Sequence, residues 1–462
     1  MREPAGTTVD ATGQLAAWAL ELDLARVPPD VVAHTRIVLA DTLGVLLMAS
    51  TRHAVRTAIE VLPLDGTDRG TVVGHGRGAR PEIAAFINGI GGHDIELDDS
   101  HGPSLSHPAA VIVPAALAAA EAAGASYGEV LVGIIAGYDV QARVSQAIGT
   151  SALHHRGFHP SSVCGSIGAA ITAGRIVGLS IDEMRSCIGL AASQSSGLTT
   201  YYDDPYHMSK SFQTGIAARN GVTAALFAQC GFGAAPDVLT GPHDMIRPFG
   251  AANADPSKLV ADLDVRYEIT RTNLKRHACC NQTHAAVDAL LDLMEEFGFG
   301  AGDIGSIDVQ LSHDAVPGID RNALWTHNIQ YVLALTAHER FVGLDHFTPA
   351  WTSNPSITEL SNRVTVRGND ELQTQFPAKK GAIVTVVTPA GRFEKLCEGP
   401  RGSPVRPLAP REIQDKFLRL AGAVLAPDAA GALWTAVTML PPDAPASDVI
   451  RVLAASPSQL VA

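Results

Sequence analysis

Positive charge is scarce in this chain. Of its 462 residues, 34 are Lys or Arg against 47 Asp or Glu, a formal net charge of −13. That balance argues against a nucleic-acid partner, whose phosphates need a basic face. It leaves room for a small anionic ligand, because a local basic pocket can outweigh the global sign. Aromatic residues make up only 5%, which does not suit a sandwich of short strands. The six cysteines, Cys164, Cys187, Cys230, Cys279, Cys280 and Cys397, are scattered and contain no CxxC pair, so a structural zinc site has little support. The first residues show no basic stretch leading into an apolar one. The cysteines are therefore expected as reduced thiols of a cytoplasmic protein. No uncharged apolar run reaches the about 18 residues of a membrane span, and "AAVIVPAALAAA" (109–120) stops short; no membrane partner is expected. A dinucleotide fingerprint is also missing, since Gly74, Gly76 and Gly78 in "TVVGHGRGARPEIAAF" do not make GxGxxG and read as a turn.

Hydrophobic residues make up 46% of the chain, with Ala and Gly prominent. That composition suits helices packed closely through small contact residues. Apolar recurrence at three and four predicts helices within 10–62 and at 109–124, 127–148, 161–178, 181–196 and 209–231. Gly124, Gly178 and Gly231 stand where C-terminal caps belong. Several of these helices are apolar nearly all round, which places them in a multi-helix core. The texture changes near residue 265. An amphipathic helix follows at 284–298, alternating strands at 306–312 and 363–369, and a hairpin around Pro389, Ala390 and Gly391. Helical pattern resumes at "PREIQDKFLRLAGAVL" (410–425). The fold class is mainly α with an α/β part, and the returning C-terminal helices make that part an insertion.

The ionisable residues gather in a few stretches. "GGHDIELDDSHGPSLSHPAAV" (91–111) holds four carboxylates and three histidines, among them His93, Asp94, Glu96, Asp98, Asp99, Ser100, His101 and His107. A metal site, a proton-transfer site and a solvated loop are the three readings. The histidines lack HxxxH spacing, which weakens the first. Carboxylates and imidazoles held together can divide acid and base roles. "HHRGFHPSSVCG" sets His154, His155, Arg156 and His159 before an apolar helix that Ser161 or Ser162 can cap. "DDPYHMSKSFQTG" places Lys210 at the start of a helix, where a lone lysine ordinarily reaches back to water. "LKRHACCNQTH" joins Lys275, Arg276, His277 and His284 around Cys279 and Cys280, and a thiolate nucleophile is one reading of it. Taken together, lysines that bind carboxylates and carboxylate–histidine pairs that move protons suit proton abstraction next to a carboxylate. Loss of water, loss of CO2 or return of the proton would follow.

The segments "AAFINGIGGHDIELDDSHGPSLSHPAAVIVPAALAAAE", "GFHPSSVCGSIGAAITAGRIVGL", "KSFQTGIAARNGVTAALFAQCGF" and "LKRHACCNQTHAAVDAL" resemble the MmgE/PrpD family, which includes 2-methylcitrate dehydratase, cis-aconitate decarboxylase and iminodisuccinate epimerase. The resemblance implies a large all-helical domain from residues 1–268 and 403–462, an α/β lid from 269–402, a pocket between them, and a metal-independent homodimer without cofactor. It implies a lyase acting on a small di- or tricarboxylate. Dehydration is the reaction placed first, decarboxylation and epimerisation are alternatives, and a non-catalytic member is the reading of another class. The family's acid matches Glu96, where many members have Asp; its hydroxyl matches Ser100 and its histidine His107. His159, Lys210 and Lys275 match further pocket positions. The catalytic set implied is His107, His159, Glu96, Lys210 and Lys275, and the substrate-binding set is Ser100, Lys210, Lys275, Arg276 and Cys280. Cys280 stands where the decarboxylase has a histidine, a departure that counts against decarboxylation.

Overall fold

The computed structural model describes residues 10–64, 66 and 69–455. Residues 1–9 and 456–462, the outer ends of the expected helical domain, lie outside it.

Two large hydrophobic cores, with two smaller clusters beside them, organise the described residues. The larger is helical. Its helices that bear on the site are α1 (Pro29–Ala49), α2 (Pro81–Asp94), α3 (Ala109–Ala123), α4 (Tyr127–Ile148), α5 (Gly165–Ile176) and α6 (Met208–Gln229). Proline in the first turn opens α1 and α2, where its missing N–H costs nothing. A capping box opens α4: Ser126 Oγ accepts from the Glu129 amide while the Glu129 carboxylate accepts from the Ser126 amide. Gly124, at φ 63°, ends α3 as the sequence predicts. Ser161 and Ser162 do not cap their helix. Ser161 Oγ accepts from the His107 amide, and Ser162 Oγ donates to the Gln213 carbonyl.

One helix pair positions the site. A Cβ added to Gly89 of α2 would lie 2.8 Å from the Cα of Gly215 in α6, so only glycine lets these backbones approach so closely. The two run antiparallel. The C-terminal end of α2, with His93 and then Glu96, is thereby set beside the start of α6 and Lys210.

The second core collects side chains from Cys279 to Cys397, inside the expected 269–402 span. It contains α7 (His284–Phe297), α8 (Ile329–Glu339) and four strands. With β1 (Ser100–His101) and β2 (Thr272–Asn273) forming a separate antiparallel pair, those four are β3 (Ser306–Leu311), β4 (Val364–Gly368), β5 (Ala382–Thr388) and β6 (Gly391–Cys397). Their order is β4-β3-β5-β6; β3 and β4 are parallel, the other pairs antiparallel. Ile307, Val309 and Leu311 alternate inward along β3 and face the core. The expected hairpin forms around Pro389 and Ala390 between β5 and β6.

The chain then returns to the helical body. Helix α9 (Pro410–Ala421) packs on α1, with Phe417 against Gly44. Helix α1 is long and apolar enough to cross a membrane by length and composition, although Asp30, Arg36 and Asp41 keep it from being an uncharged run. Most of that stretch is buried in the protein, as a core helix is.

Candidate active site

The cleft between the two cores is lined by Glu96, His107, His159, Tyr201, Tyr202, Lys210, Cys280, Asn281, His327 and Lys380, with His154 and Asp314 nearby. The opening ionisable stretch is therefore not a solvated loop. Glu96, Asp98 and Asp99 are each 1% exposed and His93 fully buried.

Glu96 sits at the centre. Its backbone is left-handed, φ 52°, which costs a side-chain-bearing residue about 1–2 kcal/mol and is retained where the surroundings impose it. Its Oε1 accepts from Lys210 Nζ and lies 2.8 Å from His207 Nε2; its Oε2 accepts from Lys275 Nζ at 2.7 Å. Burial pushes this carboxyl's pKa up, but the Lys210 and Lys275 ammoniums outweigh burial and hold it well below the usual range. Glu96 is a fixed anion rather than a free base.

Asp98 is the second anion. Its Oδ2 accepts from His93 Nδ1 at 2.7 Å and lies 2.9 Å from His107 Nδ1, while its Oδ1 is 3.5 Å from Lys275 Nζ. His107 Nδ1 also donates to the Asp99 carbonyl at 2.6 Å. These acceptors place the His107 proton on Nδ1 and leave Nε2 as the basic nitrogen. His159 is set the same way. Gln213 donates its Nε2 to the Leu198 carbonyl, so its Oε1 is the atom left to accept from His159 Nδ1 at 3.0 Å. Burial lowers the pKa of both imidazoles, and the neighbouring lysines add to it. Asp98 partly opposes that at His107. Both rings are neutral bases near pH 7. Burial keeps the Tyr201, Tyr202 and Cys280 protons on, raising all three groups.

Of the site residues the sequence points to, the structure brings Glu96, His107, His159, Lys210 and Cys280 to the cleft wall. Lys275 is near them but beneath Glu96, 1% exposed, with its charge matched inside the cluster. Ser100 is buried in β1 and meets the cleft only through Lys380, whose Nζ donates to its Oγ at 3.4 Å. Arg276 does not join the site. It lines a separate cleft with Asp288, Asp292 and Arg401, because adjacent side chains leave an irregular strand-like segment on different sides. Lys210 does not reach back to water; it is 3% exposed and held by Glu96. Burial raises the Cys280 thiol, which disfavours the thiolate reading. Sequence reasoning gave no role to His207, His327, Tyr201, Tyr202 or Lys380. Tyr201, Tyr202 and His207 lie just before Lys210 and Lys380 follows Lys379, but only the fold brings them to one cleft.

Among the described residues, two groups have the spacing of metal ligands: His93 with Asp98 and His107, and Glu96 with His207 and His327. The absence of HxxxH spacing did not foresee either. Their carboxylates are already taken by ammonium groups, Glu96 by Lys210 and Lys275, and Asp98 by Lys275. A divalent cation would meet those charges, so the donor sets do not fit one.

Residues 13–255 match the MmgE/PrpD N-terminal domain and residues 277–440 the MmgE/PrpD C-terminal domain. The chain is 27% identical to a cis-aconitate decarboxylase-like protein of Aspergillus oryzae, over 96% of this chain and 97% of that one. It is 26% identical to a cis-aconitate decarboxylase of Aspergillus terreus, over 89% of each. It is 25% identical to the cis-aconitate decarboxylase of Mus musculus, over 78% of this chain and 76% of that one.

Proposed function

The chain belongs to the MmgE/PrpD family, and from that premise we propose that it is a lyase of small di- or tricarboxylates whose reaction is dehydration of a 2-hydroxy acid. The observation that carries this reading is the pair of imidazoles, His107 and His159, each held through Nδ1 with Nε2 left basic. A base that is neutral at pH 7 begins chemistry by taking a proton, here from the carbon next to a substrate carboxylate. The C–O bond to the leaving hydroxyl then breaks, and the hydroxyl departs as water with a proton from a group that keeps one, Tyr201 or Tyr202. Glu96 fixes Lys210 at the cleft wall, and Asp98 fixes His107. Nothing in this sequence calls for a metal or cofactor.

Decarboxylation is the second reading, favoured by the names of the relatives above. It needs a proton delivered to carbon, and two neutral imidazoles suit delivery less than removal. Epimerisation uses the same abstraction with the proton returned. The test is incubation with a panel of 2-hydroxypolycarboxylates and unsaturated polycarboxylates, read by NMR. Loss or addition of water with every carboxylate kept supports dehydration. Release of CO2 selects the decarboxylase reading instead, and no change in any compound counts against an enzyme.

A further inference from the structure

We propose that Lys380, on the loop Phe376–Lys380 that precedes β5, is the cation that receives a substrate carboxylate, with the Asn281 side-chain amide as a second donor in the same cleft. The inference rests on the polycarboxylate reading above and assigns a recognition residue that the sequence did not suggest.

The argument is one of charge balance. Lys210 is tied to Glu96, Lys275 to Glu96 and Asp98, and Lys416 to Asp41. Among the described residues, Lys380 is a cleft lysine with no carboxylate partner, and its Nζ reaches only the Ser100 hydroxyl. It faces Lys210 and Lys275, and burial together with those ammoniums holds its pKa down to about 8, with the Cys280 side chain partly opposing them. A half-buried cation facing two others is electrostatically unsatisfied until an anion arrives. The second observation is independent. Asn281 is buried, lines the same cleft, and its Nδ2 has no acceptor, which buried donors seldom lack. A carboxylate between these two groups would satisfy both.

Geometry adds a consequence. The loop backbone lies on the helical body: a Cβ on Gly102 would sit 3.2 Å from the Pro377 carbonyl oxygen and 3.3 Å from that of Ala378. Lys380 thus reaches from the second unit into a cleft whose base, His107 and His159, belongs to the first. A carboxylate held by Lys380 bridges the two.

The test uses the full-length protein and propane-1,2,3-tricarboxylate, which has no hydroxyl to lose, with binding measured by titration calorimetry at pH 7. Lys380→Met is expected to weaken binding by roughly 10- to 100-fold, the range for a lost hydrogen bond to a charged group. Lys380→Arg is expected to stay within a few-fold of wild type, because it keeps the charge. Asn281→Ala is expected to weaken binding by a smaller factor. Melting temperatures unchanged from wild type show that the variants are folded. Undiminished binding by Lys380→Met overturns the inference and leaves the proposed function standing. So does unchanged binding with lost turnover, which would make Lys380 a proton donor. A wild-type protein that binds no tricarboxylate overturns the polycarboxylate reading itself.

Discussion

At the scale of single residues, the proposed chemistry falls to His159 and His107, whose Nδ1 atoms are held and whose Nε2 atoms are left basic. His159→Gln keeps a polar group of similar size but removes the basic nitrogen. It is expected to lower kcat by about 10²- to 10⁴-fold, the usual contribution of general acid–base groups, with substrate binding within a few-fold. Near-normal kcat in this variant would remove His159 from the mechanism. The pH profile has a definite sign. Both imidazoles are held below the ordinary value of about 6.5. The active base form is therefore complete at neutrality, and activity is lost as pH falls through a midpoint below about 6.5. An acid limb centred at or above that value contradicts the assignment. The sequence made His107, His159, Glu96 and Lys210 legible, because chemistry-bearing residues stood together in short stretches. It misplaced Arg276, whose neighbour Lys275 is buried in the site while Arg276 itself faces another cleft. It could not reveal Lys380, a lysine in the loop before β5 that only the fold brings beside Lys210 and Lys275, more than a hundred residues away.

Elements supply the precision these residues need. The α2–α6 approach through Gly89 and Gly215 brings Glu96 to Lys210, and α9 secures the same loop from the other side. Lys416 of α9 donates to Asp41 at 2.9 Å and to the Leu97 carbonyl at 2.7 Å, between Glu96 and Asp98. Lys416→Met leaves Asp41 buried without its counter-ion and frees that carbonyl. It is expected to cost roughly 3 kcal/mol of stability in chemical unfolding, within the range for breaking a buried pair, and to lower kcat with it. Burial raises the Asp41 pKa despite Lys416, so Asp41→Asn in the same protein should recover part of the stability but not the turnover. Unchanged stability in Lys416→Met would mean that α9 does not anchor the loop. Helix positions were readable from apolar recurrence and glycine caps, and the hairpin from its turn residues. The roles of Ser161 and Ser162 were not, since each bonds to a group distant in sequence rather than to its own helix.

For the whole molecule, the candidate site lies where two cores meet: His107, His159 and Glu96 come from the helical body, and Cys280, His327 and Lys380 from the second unit. We propose that two copies associate through the helical bodies. Phe212, Phe227 and Phe232, at the two ends of α6, are each about half exposed and leave apolar surface there. Light scattering at micromolar concentration is expected to give twice 48.2 kDa; a mass of 48.2 kDa contradicts the dimer. The central claim, abstraction of a proton beside a carboxylate by a neutral imidazole without metal, is tested most directly by a proton-NMR time course. It is run in D2O, with a chelator present, on the hydroxy acid the protein turns over. The account predicts that the hydrogen next to the carboxylate is lost together with water while every carboxylate is retained. CO2 release with that hydrogen kept, or activity that stops in chelator and returns with a specific divalent ion, would contradict it.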